Sequence, residues 1–209
     1  MLHTEPYRDA LGRWPPEGRH ILAQFDANSI VVYQAYNEEI AAAAVADQRL
    51  GRGGFAMGRM SWIKPNFLWM MYRSGWATKP NQERVLAIRI PRARFLEILD
   101  AAVASSFSAS PAEDELAWRG TVATSDVRLQ WDPDHAPDGT PQPRRAVQLG
   151  LRGEVLRRFV AEWVLEIEDV TAFVREQRAN LRTGSLSVAT ERVLDVPPET
   201  ARRIGLDGQ

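Results

Sequence analysis

Between Pro65 and Gly75 the chain reads Asn-Phe-Leu-Trp-Met-Met-Tyr-Arg-Ser, with no polar break before Arg73. Proline fits the first position of a helix, where its missing N–H costs nothing, and Gly75 supplies a C-terminal stop. A helix that is apolar on every side has no face to give to water and has to be buried. One domain of 209 residues, 44% of them apolar, can supply that burial, so the run is no argument for a dimer.

The segments around it alternate. Arg19–Phe25 and Ile30–Tyr36 are β-branched and aromatic runs separated by Asp-Ala-Asn-Ser, which predicts two strands and a turn. Asn37 caps the alanine-rich run that begins Glu38-Glu39, and that helix should stop before Gly51. Met57–Ile63 and Arg84–Ile90 read as strands, and Pro91 starts a helix through Ser105. Val127–Trp131 and Ala146–Leu151 read as strands flanking the Pro- and Asp-rich loop at 132–143. Leu156, Phe159, Val160 and Trp163 mark an amphipathic helix, and Val170–Leu181 a further one. No βαβ repeat and no GxGxxG motif occurs, so the expected class is α+β: one domain, 19–182, with a mixed or split sheet flanked by helices. Residues 1–18 read as an irregular lead-in, and 183–209 as an extension whose order the pattern leaves open.

Composition removes several function classes. There is no cysteine, hence no thiolate chemistry, and His3, His20 and His135 lack metal-ligand spacing, so no metal is implied. A formal net charge of -1 excludes a strongly basic nucleic-acid coat. No stretch approaches the length of a membrane span and the first residues lack an apolar leader core, so a soluble cytoplasmic protein without a membrane partner is expected.

Of 26 basic side chains only two are lysines, Lys64 and Lys79, and each opens a Lys-Pro-Asn tripeptide. Lys64 precedes the apolar helix, where backbone N–H groups and the helix dipole favour an anion such as a phosphate. Arg73, near that helix's end, needs an acid, backbone carbonyls or a ligand. Trp62 and Trp76, set outside the helix by Pro65 and Gly75, are candidate walls for a ring, whereas Trp69 reads as core. Lys79 lies in a polar turn. Gln34, between Tyr33 and Tyr36 on a strand, needs hydrogen-bond partners if buried. Gln130 and Asp132 end a strand before a loop that holds His135, a poor general base there.

Arg144, Arg145, Arg152, Arg157 and Arg158 suggest an alternative, a non-catalytic nucleic-acid-binding module, unless they pair with Glu154, Glu162 and Glu166. A purely structural or partner-binding chain, by contrast, predicts no concave polar pocket near Lys64.

The runs VVYQAYN, WIKPNFLWMMYRSGWATKPNQERVLAIRI, VRLQWDP and AEWVLEIEDVT resemble a family of bacterial and fungal proteins carried as domain of unknown function 4291. That resemblance covers roughly Arg19 to Glu176 and implies no activity; it implies that the Lys64 and Lys79 segments belong to the family pattern. The order of elements also resembles the ADP-ribosyltransferase fold. On that likeness Gln34 stands near the usual Arg or His, Ser61 near the strand Ser/Thr, and Gln130 or Asp132 near the acid. Together with Lys64 at a helix start and the flanking tryptophans, this order leads us to expect a nucleotide- or NAD-binding transferase, with Gln34, Tyr36, Ser61, Trp62, Lys64, Arg73, Trp76 and Lys79 as cofactor-binding candidates and Gln130 and Asp132 as catalytic ones.

Overall fold

A computed structural model describes residues 2–206. The chain runs β1 (Thr4–Pro6), α1 (Tyr7–Leu11), β2 (Gly18–Arg19), β3 (Leu22–Ala23), β4 (Ser29–Tyr36), α2 (Glu38–Asp47), β5 (Ser61–Ile63) and α3 (Phe67–Ser74). It continues through β6 (Arg84–Pro91), α4 (Arg92–Asp100), β7 (Ala102–Ala104), α5 (Glu115–Thr124), β8 (Val127–His135), β9 (Pro141–Leu151) and α6 (Gly153–Arg158). The last elements are β10 (Glu166–Asp169), α7 (Thr171–Ala179), β11 (Ser187–Ala189), β12 (Arg192–Val193) and α8 (Pro198–Ile204). The expected α+β architecture with a mixed sheet is observed.

Its spine is a curled half-barrel. Strands β10, β6 and β4 pair antiparallel, a single bridge between Tyr33 and Lys64 joins β4 to the end of β5, and β5 pairs with β9. Beyond β9 lie β8, antiparallel, and β7, parallel. Strand β4 is apolar at successive positions because both of its faces are covered, as in any doubly buried strand. Ile30 and Val32 face a core built with Phe95, Leu99 and Trp163. Val31 and Tyr33 face a second one built with Phe67, Met71 and Val174. Helix α3, whose Phe67–Met71 are all buried, lies in that second core, which is how its all-round apolarity is accommodated.

The lead-in departs from expectation, and the C-terminal segment takes the strand-and-helix form that the pattern had left open. The lead-in carries β1 and α1, with β1 paired to β11 across the whole domain, and Trp14 is 6% exposed with its indole N–H donated to the Glu191 carbonyl (3.1 Å). Residues 183–206 are folded too: Val188 and Ala189 enter the second core, and Leu194, Val196, Ala201 and Ile204 the first. Positions 1 and 207–209 lie outside the described residues. The anticipated loop at 132–143 shrinks to 136–140, because β8 continues to His135 through an irregularity at Pro133 and β9 begins at Pro141. Bulges and strand starts are where a sheet tolerates proline. His135 is therefore not in a loop. It is 6% exposed and stacks on Tyr72, ring centroids 3.4 Å apart. The strand expected at Met57–Ile63 forms only over Ser61–Ile63, after a run of turns, and α4 stops at Asp100 so that Ala102–Ala104 can pair with β8.

The N-terminus of α3 is closed from inside the protein. Asn66 caps it, accepting from the Trp69 N–H (2.6 Å), and the fully buried Glu191 accepts from the Phe67 N–H (2.6 Å) and the Asn66 amide (3.1 Å). Burial pushes the Glu191 carboxyl well above the ordinary carboxylate range. Glu191→Ala strips two buried donors of their acceptor, at about 1–3 kcal/mol each. We expect unfolding free energy to fall by about 3 kcal/mol in a urea titration, and a loss under 1 kcal/mol would remove Glu191 from this role.

Candidate functional site

An open polar cleft of about 440 Å³ lies where β4, β5, α3 and the β8–β9 hairpin meet. Of the sequence candidates, Gln34, Tyr36, Ser61, Trp62, Lys64, Arg73 and Gln130 line it. Alternation on β4 sends Gln34 and Tyr36 to the same side, and β5 delivers Ser61 and Trp62 one register step away. Gln34 is 3% exposed and donates through Nε2 to Ser61 Oγ (2.7 Å) and to the Trp62 carbonyl (3.3 Å). Its Oε1 is buried and, among the described residues, has no partner. Tyr36 Oη lies 3.4 Å from the same Ser61 hydroxyl, and burial pushes its phenol up.

Lys64 is the centre of the cleft. It is 4% exposed, and its Nζ makes one long hydrogen bond, 3.4 Å, to the Trp62 carbonyl. Among the described residues no carboxylate reaches it as an ion-pair partner. An ammonium needs acceptors for three protons, and desolvation without them favours the neutral amine. Burial, reinforced by the nearby Arg73 charge and opposed by Asp132, lowers its pKa from 10.5 to about 7. Arg73, exposed at the cleft's edge, has no ion pair among the described residues either. Of the acid, backbone carbonyls or ligand expected for it, no acid pairs with it among the described residues.

Asp132 sits behind the lining. Its two oxygens accept from the Gln130 and Gln148 amides, each at 2.8 Å, which fixes the carboxylate and turns both amides toward it. Gln148 and Gln82 were not anticipated, though both line the cleft. Gln148 is opposite Gln130 in the β8–β9 register, and it is the one polar side chain in the run Ala146–Leu151, which was the available signal. Gly150 was missed as well. A Cβ there would stand 2.5 Å from Met60 Sδ and 3.0 Å from Trp62 Cε2, so a side chain at 150 would push the flexible Met60 aside and crowd Trp62, the two residues that lie against β9 at the cleft.

Two candidates are elsewhere. Trp76, 7% exposed, packs in the second core and donates its indole N–H to the Pro137 carbonyl (3.1 Å). Gly75 does end the helix, but the turn that follows folds Trp76 inward rather than into the cleft. Lys79 donates to the Tyr72 (3.3 Å) and Arg73 (2.9 Å) carbonyls, closing the C-terminal end of α3. The anion site expected at the N-terminus of α3 is likewise taken, by Glu191. What remains for an anion is the pair of side chains, Lys64 and Arg73.

Most of the arginines proposed as a nucleic-acid face are engaged. Arg144 is buried in an ion pair with Asp134 (2.6 Å), Arg157 pairs with Glu154, and Arg158 with Glu162 (3.5 Å). Arg152 donates to the Ala123 carbonyl (2.9 Å), and Glu166 pairs with Arg89 instead. The concave polar cavity that a purely structural chain would lack is present beside Lys64. Among the described residues no group of three or more His, Asp or Glu is disposed to hold a metal, and no helix is long and apolar enough to cross a membrane.

The Lys64 shift has a stability consequence. The unfolded lysine holds its proton up to 10.5 and the folded one only to about 7, so between those values the unfolded state binds more protons and folding stability rises with pH. Below pH 7 the full cost of the buried charge is present, about 3–5 kcal/mol at ~1.4 kcal/mol per pH unit. We expect Lys64→Met to be more stable than wild type at pH 6, by about 3 kcal/mol, with the gap closing by pH 9.5. Urea titrations at both pH values measure it, and a pH-independent gap would show that the amine is not desolvated.

No curated protein matches the chain at a significant level. A family match covers residues 20–201, from the residue after β2 to the middle of α8, and so contains every residue of the cleft. The chain belongs to the family described as domain of unknown function (DUF4291).

Proposed function

We propose that the protein is an enzyme that binds a nucleotide in the Lys64 cleft, NAD being the leading candidate, and transfers a group from it in the manner of an ADP-ribosyltransferase. The observation that carries this reading is the pair of unneutralised cations: a buried lysine and an exposed arginine on one polar cleft, with no protein carboxylate in ion-pair reach of either among the described residues. Cations in a desolvated setting bind phosphate far more strongly than they do in water.

The other groups suit the rest of such a ligand. Trp62 offers a flat face for a ring, and the free Oε1 of Gln34 accepts from an amide or amino group. Asp132, behind the lining, holds the Gln130 and Gln148 amides, and in this reading those two glutamines meet the incoming nucleophile while Asp132 positions them. In this reading Trp76 and Lys79 support α3 and do not touch the ligand. A cytoplasmic location goes with it, as the compartment of free nucleotides.

Binding should follow the protonation of Lys64. The empty cleft holds the amine near half-charged at pH 7, and a bound phosphate raises its pKa, so affinity is greatest below 7 and falls as pH rises above it. Calorimetry with NAD at pH 6 and pH 8.5 should show a severalfold weaker complex at the higher pH. Lys64→Ala should cost roughly 2 kcal/mol, ~30-fold in Kd, as expected for a desolvated charge contact. No heat with NAD, ATP or their mononucleotide fragments would end this reading.

A further inference from the structure

Lys64 is also built as a nucleophile. An amine attacks through its lone pair, which an ammonium lacks, and a desolvated site without a counter-ion keeps that lone pair free. The hydrogen-bond inventory around Nζ points the same way. One acceptor, the Trp62 carbonyl, faces it at 3.4 Å. Three N–H protons are too many for that acceptor, whereas the single N–H of an iminium matches it. Gln34 Oε1, buried and unpartnered among the described residues, is a second acceptor in the same cleft, available to a hydroxyl formed on an attacked carbon. Among the described residues Asp132 makes no ion pair with Nζ, and its charge, the smallest influence on the amine, only partly opposes the desolvation that keeps the lone pair free. Arg73, without an ion pair among the described residues, is free to take an anionic group on the same molecule.

We propose that Lys64 is a covalent attachment site, where its amine condenses with the carbonyl of a small aldehyde or ketone whose phosphate or carboxylate group is held by Arg73. The Nζ lone pair attacks the carbonyl carbon, forming a C–N bond while a proton passes from nitrogen to oxygen. The resulting hydroxyl takes a proton from solvent, its C–O bond breaks and it leaves as water, giving the iminium C=N–H+ with its one N–H, and no oxidant or reductant is consumed. This activity does not depend on nucleotide binding. A cleft that binds no NAD and forms the adduct ends the earlier reading and leaves this one standing.

The chain offers its own control, since its only other lysine, Lys79, is exposed and donates to two carbonyls at the end of α3. At pH 7.5 an ordinary lysine is only ~0.1% uncharged, whereas an amine of pKa about 7 is mostly so. The test treats the full chain at pH 7.5 with pyridoxal 5′-phosphate or with pyridoxal, which lacks the phosphate, and then reduces with borohydride. Intact mass and peptide mapping follow. We expect Lys64 to be labelled at least tenfold more than Lys79 by the phosphate form, Lys64→Arg to leave only the Lys79 and N-terminal labelling, and Arg73→Gln to cut labelling by the phosphate form at least fivefold while sparing that by pyridoxal. Comparable labelling of Lys64 and Lys79, or labelling of Lys64 no faster in the folded chain than in urea, overturns the proposal. Equal labelling by the two aldehydes, unchanged in Arg73→Gln, overturns the anion-bearing substrate class.

Discussion

The structure depends on a fully buried glutamate side chain. Glu191, fully buried, holds the first N–H of α3 and the Asn66 amide that caps the same helix. Lys64 lies two residues before Asn66, on the bridge that closes the half-barrel between β4 and β5. The position of the lysine is thus fixed from the far end of the chain, because β12 and its flanks bring Glu191 to the helix. Removing water from a carboxylate costs free energy, and two donated hydrogen bonds and the helix dipole offset it only in part. That residual cost is visible in the upward shift of the Glu191 carboxyl.

A second desolvated charge cluster backs the first. Arg144 pairs with Asp134, donates to the Pro15 carbonyl (2.6 Å) and lies over the Trp14 ring, while Trp14 donates to the Glu191 backbone. Buried pairs of this kind contribute little net stability against an apolar replacement, yet they tolerate only one arrangement of their partners. Here they lock the N-terminal segment, the β8–β9 hairpin and the C-terminal segment into one register. The cleft is bounded by that hairpin and by α3, so its shape is inherited from charges that never touch it.

The chain declares some of this and hides the rest for physical reasons. Helix α3 is legible because burial on every side leaves a local signature, framed by Pro65 and Gly75. The strands β4 and β6 are legible as long β-branched runs. The ends are not. Strand β1 has three residues and finds its partner at β11, and no local period records a pairing at that separation. Seven of the ten candidate residues line one cleft, since chemistry-bearing side chains on a half-barrel converge when their strands do. Trp76 and Lys79 fall outside the cleft, because an aromatic or a lysine beside it reads the same in sequence whether it packs inward, closes a helix or lines a cavity. Gln148 stayed hidden because its role exists only in register with Gln130.

Gly150 carries a different lesson. The wall formed by Met60 and Trp62 is held in place by a carbon atom that the sequence leaves out. The width of the opening that a ring would meet is therefore controlled from a position with no polar group and no ligand contact of its own. A single added methyl there would press on Met60 and Trp62 and touch neither Lys64 nor Arg73. The shape of the cleft mouth and the polar groups within it are thus set from separate positions of the chain.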